Sequence, residues 1–352
     1  MSQARAPSSR PRSVDDVRAF PQLALPSGAG DASVMHGQWN RAGTRRCLPW
    51  VLIAGVVLTA AGCGTQQGDP SSIASIPTGR VTYVDANAYL QQVPASEGQD
   101  LRKPGKVYVA SLAPDGSGRL ALVQQGTADP LVLSLFDPST GRSERLAQDL
   151  VPSTADWAPD GQQLALTSYG DSFFEVYRVA VSDGSTVRVG ERGEWSPSWS
   201  PDGTQIALAR ERTNSLGYEV VIMNSDGSDP RVIAGADGFP FPPDSGSATV
   251  AWDPEGGWIA YVDAGEQPQI HLVHTDGTED HVLVQGEEPA WSPDGKWVAF
   301  SRTKTGAMST SPTSGGDVVM SAPERTDIWI VSVSGGQPEH VAEGSSPSWG
   351  PR

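Results

Sequence analysis

Three histidines lie close together, His271, His274 and His281, and imidazole is the side chain that most often holds a transition metal or moves a proton near neutral pH. The stretch around them alternates as a strand does, and on a strand residues three apart point to opposite sides, so His271 and His274 cannot readily share one ion. The sequence has five histidines in all, and no Gly-x-Ser-x-Gly elbow, His-Glu-x-x-His pair or Walker-type phosphate loop. No cofactor, no metal and no catalytic residue is therefore expected, although a site built only from carboxylates stays open. Phe239 and Phe241 are two aromatic side chains set among prolines rather than in an alternating strand. They are candidates either for anchoring a partner or for covering a satellite core.

Cys47 and Cys63 are the only cysteines. Arg45 and Arg46 precede an apolar, uncharged run from Leu48 to Ala61, followed by small residues up to Cys63. This run falls about five residues short of the ~20 that cross a bilayer, which is the layout of a signal peptide rather than a spanning helix. The segment Ala60-Ala61-Gly62-Cys63 resembles the lipobox of bacterial lipoproteins, with Ala60 where leucine is commonest. That resemblance implies cleavage before Cys63 and a thioether from its sulfur to diacylglycerol, which would hold the protein on the outer side of the cell membrane. Cleavage would discard Cys47 and leave Cys63 without a disulfide partner, in keeping with that role. The alternative is a signal anchor or a secretory peptide with an incidental cysteine.

The organisation expected is an extension over 1–34 that is disordered or lies ahead of a true start at Met35, a signal peptide over 35–62, a polar tether over 63–79 and a folded part over 80–352. Seven Arg and three Asp precede Cys63, so of the 25 Lys and Arg and 41 Asp and Glu there remain 18 against 38, a formal −20. Such a surface repels phosphate backbones and anionic headgroups, so nucleic acid is not an expected partner and membrane attachment needs a hydrophobic anchor. Cationic partners stay open.

The elements behind these residues are set by a repeat. Trp157-Ala-Pro-Asp160-Gly, Trp199-Ser-Pro-Asp202-Gly, Trp252-Asp-Pro-Glu-Gly and Trp291-Ser-Pro-Asp294-Gly each lead into a strand such as LALTS, IALAR, WIAYV or WVAFS. An earlier copy carries Leu112 in place of tryptophan, and a last fragment ends in Trp349. The positions 112, 157, 199, 252, 291 and 349 are 45, 42, 53, 39 and 58 residues apart, close to one four-stranded blade each. Pro sets φ at the first corner of the turn, Asp takes backbone amides there, and Gly supplies the positive φ that closes it. Tryptophan fills the wedge between blades, so these Trp and Asp residues are expected to be structural. With 39 Gly and 29 Pro, composition also favours short elements joined by tight turns.

These copies resemble the TolB-type, WD-like propeller repeat across residues 80–352. The resemblance implies an all-β propeller of six blades of four antiparallel strands. In the sixth, a strand at 346–351 would pair with strands near 81–93 and so close the ring by joining the two ends. Members of that family carry a further N-terminal α/β domain, which the interval after Cys63 is too short to hold, so their specific partners are not transferred. Peptidases with similar propellers add a hydrolase domain that is not expected here. A lyase of the oligogalacturonate type gathers several histidines at its channel, and histidine is scarce in this chain.

Antiparallel order puts the Pro-Asp-Gly turns and the later Asp-Gly turns on one face of the ring. The long connections 234–248 and 303–327 fall on the other, with disorder the default expectation for the Gly-, Ser- and Thr-rich second one. The function expected is a lipid-anchored, extracytoplasmic module that binds a protein, peptide or envelope glycan through the long-loop face and channel mouth. The alternative is an envelope polysaccharide hydrolase or lyase that uses channel carboxylates.

Overall fold

The computed structural model describes residues 77–93, 101, 104, 106–125, 131–170, 173–213, 217–237, 249–264, 267–305, 309–312, 318–321 and 324–350. These residues contain no helix; they form antiparallel sheets whose strands follow one another in chain order. Blade 1 is β3 (Val107–Leu112), β4 (Leu120–Gln125), β5 (Leu131–Asp137) and β6 (Arg142–Leu146). Blade 2 is β7 (Pro152–Trp157), β8 (Gln163–Tyr169), β9 (Phe174–Ala180) and β10 (Thr186–Val189). Blade 3 is β11 (Glu194–Trp199), β12 (Gln205–Glu211), β13 (Tyr218–Asn224) and β14 (Arg231–Ala236). Blade 4 is β15 (Val250–Trp252), β16 (Trp258–Asp263), β17 (Gln269–His274) and β18 (His281–Gln285).

Blade 5 takes β19 (Glu287–Trp291), β20 (Trp297–Thr305), β23 (Glu324–Ser332) and β24 (Glu339–Glu343). The sixth blade is made from both ends of the described chain. Its inner strand β25 (Ser345–Gly350) pairs with β1 (Arg80–Val84), and β1 pairs with β2 (Leu90–Val93). Among the described residues this blade has three strands where the others have four. The inner strands touch in the order β3, β7, β11, β15, β19, β25 and back to β3, which closes the ring.

Each blade is pressed between two neighbours, so its middle strands are buried on both faces and read as unbroken apolar runs such as IALA in β12 and VVIM in β13. The outermost strands are exposed over most of their length, as the patterns of β6 and β10 show. The buried apolar side chains fall into six clusters, one in each seam between blades. Trp157, Trp199, Trp252, Trp291 and Trp349 belong to these clusters and are 8% exposed or less. Burying an aromatic side chain of this size contributes about 2–3 kcal/mol, so the seams rather than the sheets hold the ring together.

The Trp-x-Pro-Asp-Gly turns interlock. The Gly203 N–H donates to the Ser200 carbonyl at 2.9 Å and the Asp202 carboxylate accepts the Thr204 N–H at 2.9 Å, while Gly203 itself has φ of 72°. A methyl group on Gly203 would stand 3.3 Å from Pro159 Cγ of the preceding blade, and one on Gly256 would stand 3.2 Å from Pro201 Cγ. Glycine is needed there for backbone conformation and for the close approach of successive turns.

The expectation of disorder for 303–327 is not met at the described residues of that segment. Strands β20 and β23 stay paired outward as far as Thr305 and Glu324, and beyond them β21 (Ser309–Pro312) and β22 (Val318–Ser321) form a separate hairpin. Pairing of β20 with β23 fixes both strands of the ribbon, which a composition rich in Gly, Ser and Thr does not reveal.

Candidate functional site: the central channel

The inner strands surround a cavity of about 470 Å³ on the axis of the ring. Its wall is the free edge of each inner strand, and a free edge presents backbone N–H and C=O groups that need partners. Side chains one residue before the tryptophan position supply several of them across the seams. Ser198 Oγ accepts the Trp252 N–H at 3.0 Å, Ser348 Oγ accepts the Leu112 N–H at 3.1 Å, and Asp156 Oδ2 accepts the Trp199 N–H at 2.8 Å. Trp157 and Trp291 reach the opposite way across their seams, and Trp349 bonds beside β1 of its own blade. The indole N–H of Trp157 donates to the Ser111 carbonyl at 3.0 Å, that of Trp291 to the Ala251 carbonyl at 3.0 Å, and that of Trp349 to the Thr78 carbonyl at 2.7 Å.

A second tier lies two residues further back. Ser196, Glu288 and Ser346 each precede a proline and each adopts left-handed backbone, with φ of 52°, 55° and 51°. Such a conformation costs a non-glycine residue about 1–3 kcal/mol and persists only where its surroundings hold it. Here each sits at a bulge, and Ser196 and Glu288 turn their side chains to the next blade while Ser346 turns back to Glu288. Ser196 Oγ accepts the Thr249 N–H at 2.7 Å, and the Glu288 carboxylate takes the Ser346 N–H at 2.7 Å and its hydroxyl at 3.2 Å.

Among the described residues three carboxylates line the cavity, Asp156, Asp253 and Glu288, and no Lys, Arg or His does. Asp156 lies where the other blades have Ser111, Ser198, Ala251, Ala290 and Ser348. It touches the channel but is otherwise enclosed by protein, and this burial pushes its carboxyl up to about 6 against the lowering effect of the Trp199 N–H and the Ser198 hydroxyl. Asp253 takes the place of Ser200 and Ser292, accepting the Glu255 and Gly257 N–H groups within its turn; burial raises its carboxyl as well. On the exposed turns the balance is reversed. The hydroxyls and amides of Ser139 and Thr140 hold Asp137 down to about 2, and the Ser200 hydroxyl with the Thr204 N–H lowers Asp202.

The histidines are elsewhere. His271 lies with Tyr261 and Asp280, its Nδ1 3.1 Å from the carboxylate, whereas His274 and His281 set their rings edge-on to Trp258 at 5.4 and 5.7 Å. His271 and His274 thus occupy opposite sides of β17, and none of the three lines the channel. Among the described residues no group of three or more His, Cys, Asp and Glu is arranged to hold a metal ion. Asp160 and Asp294 hold their turns as Asp202 does, with Asp160 Oδ1 accepting the Gln162 N–H at 2.8 Å and Asp294 Oδ1 the Lys296 N–H at 3.3 Å. Phe239 and Phe241, and Cys63 with Ala60, Ala61 and Gly62, lie outside the described residues. Sequence reasoning missed Asp156 and Glu288 as wall residues. The available signal was the position before each tryptophan or before each channel proline, where one copy is charged and the rest are small.

Ring order, interlocked turns and an axial cavity define the class: a six-bladed β-propeller. In fold it is similar to the TolB-type propeller. It superimposes on the crystal structure of TolB from Acinetobacter baumannii with a TM-score of 0.55 at 19% identity, covering 78% of this chain and 67% of that one. In sequence it is 28% identical over 141 residues to the Tol-Pal system protein TolB of Francisella tularensis subsp. holarctica, 40% of this chain and 30% of that protein. It is also 33% identical over 119 residues to an uncharacterized protein of Agrobacterium fabrum, 32% of this chain and 40% of that protein. The chain therefore matches well under half the length of these two relatives. No family model matches the sequence.

Proposed function

We propose that this protein is an interaction module of the cell envelope: a propeller, held on the outer side of the membrane by a lipid on Cys63, that binds a protein or peptide at its channel and long-loop face. The observation that carries the binding reading is the channel itself, an enterable cavity on the ring axis whose wall is tied together by hydrogen bonds across its seams. A rigid wall around a concavity is what a recognition site requires. Its carboxylates are engaged with backbone N–H groups across seams or within turns, a use that favours architecture and recognition over acid–base chemistry. Kinship in sequence with a Tol-Pal system protein supports an envelope setting. The lipobox-like segment before Cys63 supports the anchor.

The anchor is tested by metabolic labelling with a fatty acid: the wild type takes up label and Cys63→Ser does not, whereas equal labelling of both would refute it. The binding face is tested by capturing partners from envelope extracts with the protein and with a variant lacking 238–248, which leaves strand β14 whole. Reduced recovery by the variant supports the long-loop face, and equal recovery removes that loop from the site.

A further inference from the structure

The turn aspartates carry a chemistry that their structural role does not use. In an Asp–Gly pair the glycine nitrogen can attack the aspartate side chain, because no Cβ stands in its way. Seven such pairs lie in turns of the described residues, and Gly238 of an eighth lies outside them. In six of the seven the glycine is held twice. The N–H groups of Gly161, Gly184, Gly203, Gly227, Gly277 and Gly295 donate to main-chain carbonyls of their own turns at 2.8–2.9 Å. A Cβ on any of these six would also stand 3.5 Å or less from an atom of the preceding blade or of the connection that leaves it.

Gly116 is the exception. Its N–H has no such bond among the described residues, and a Cβ on it, or on Gly118, would meet nothing within 4 Å. The ring explains the difference. The blade before it is the sixth, whose β25 and β1 are joined by pairing of two distant segments rather than by a turn, so no Trp-x-Pro-Asp-Gly turn backs Gly116.

We propose that Asp115 is a site of spontaneous isoaspartate formation, set apart from the other six by the freedom of Gly116. Asp115 and Gly116 are both exposed, so water reaches them. The Gly116 nitrogen attacks Asp115 Cγ. A C–N bond closes a five-membered imide as the N–H proton and the hydroxyl of the carboxyl group leave as one water. Water then reopens the ring: attack at Cγ restores aspartate, and attack at the main-chain carbonyl carbon leaves the chain running through the side chain. To reach Cγ the peptide between the two residues must rotate, which at the other six turns breaks the glycine bond and drives the chain toward the neighbouring blade. The Asp115 carboxylate is no freer than its counterparts, with Oδ1 accepting the Ser117 N–H and Oδ2 the Arg119 guanidinium, each at 2.9 Å. The nucleophile makes the difference. Gly161 stands against the Asp115 side chain, and Arg119 lies over the Trp157 ring at 5.6 Å, so one extra main-chain carbon here disturbs the seam between blades 1 and 2.

The test is peptide mapping by mass spectrometry of the detergent-solubilised full-length protein, incubated at mildly acidic pH both folded and in urea. In the folded protein isoaspartate is expected to build up at Asp115 at least about tenfold faster than at any of the other six, each of which must first give up a hydrogen bond. In urea the seven rates are expected to draw within about threefold of one another. A folded-state rate at Asp115 matched by any of the six, or a lead that persists undiminished in urea, would overturn the proposal. So would the lack of product at Asp115 in the folded protein over a period that yields it in urea. Folded wild type is also expected to lose melting temperature on incubation, while Asp115→Glu, whose carboxyl is one methylene too far for the five-membered ring, keeps its own. Equal losses in the two would place the damage elsewhere and count equally against the proposal.

Discussion

Asp156 of one blade accepts the backbone N–H of Trp199 in the next at 2.8 Å, so a charged group performs across this seam what serine performs across two others. The carboxyl is raised in the folded protein, to about 6 from an ordinary 3.8. Between those values the folded state holds a proton that the unfolded chain releases, so stability falls as pH rises from about 4 to about 6 and is then level. Asp156→Ser lacks this term. Its melting temperature is expected to gain on the wild type between pH 4 and pH 7, and a difference independent of pH across that range would contradict the assignment.

The tryptophan wedge predicts an ordered pair of losses. Trp157→Ala opens a void in the seam between blades 1 and 2 and forfeits the bond to the Ser111 carbonyl, for a loss of about 3–5 kcal/mol in urea unfolding. Trp157→Leu installs the residue that blade 1 carries as Leu112 and is expected to cost clearly less. Equal losses would show that apolar volume is not what the position supplies.

Glycines of the same turn should differ. Gly203→Ala meets both positive φ and Pro159 Cγ, whereas Gly116→Ala, with φ of 73°, meets nothing within 4 Å. The first is expected to cost more than the ~1 kcal/mol of conformational strain alone and the second about that much. Thermal denaturation of the two variants decides it, and a larger loss at Gly116 would refute the interlocking of successive turns.

Ring closure depends on β25 lying against β1, with Arg80 opposite Gly350 and Trp349 opposite Val81. Removing residues 345–352 exposes the edge of β1 and strips the seams on either side of the sixth blade. Cooperative unfolding is expected to be lost, as followed by near-ultraviolet circular dichroism. A truncated protein that melted as sharply as the full chain would show that closure contributes little.

The fold was legible because its signal is local and repeated. Trp, Pro, Asp and Gly at fixed offsets specify a turn and a wedge, and their recurrence at 112, 157, 199, 252, 291 and 349 counts the blades. The short strands VTYVD and AYLQQV near residues 81–93 were enough to place the closing blade, with β1 and β2 following that pairing. The β20–β23 ribbon was not legible, since its register joins residues from Trp297 to Ser332 across a long stretch of small residues. The channel carboxylates were overlooked for a similar reason: what Asp156 and Glu288 touch is decided by the neighbouring blade, Trp199 in one case and Ser346 in the other, not by the residues beside them.

The channel and its loop-side mouth form the proposed interaction face. A photo-crosslinking amino acid placed at Ala290, in the channel wall, and at Val187, 55% exposed on an outer strand, tests it in intact cells. A discrete adduct with a second protein at position 290 and none at 187 is the predicted result. No adduct at 290, or the same adducts at both positions, would contradict the account.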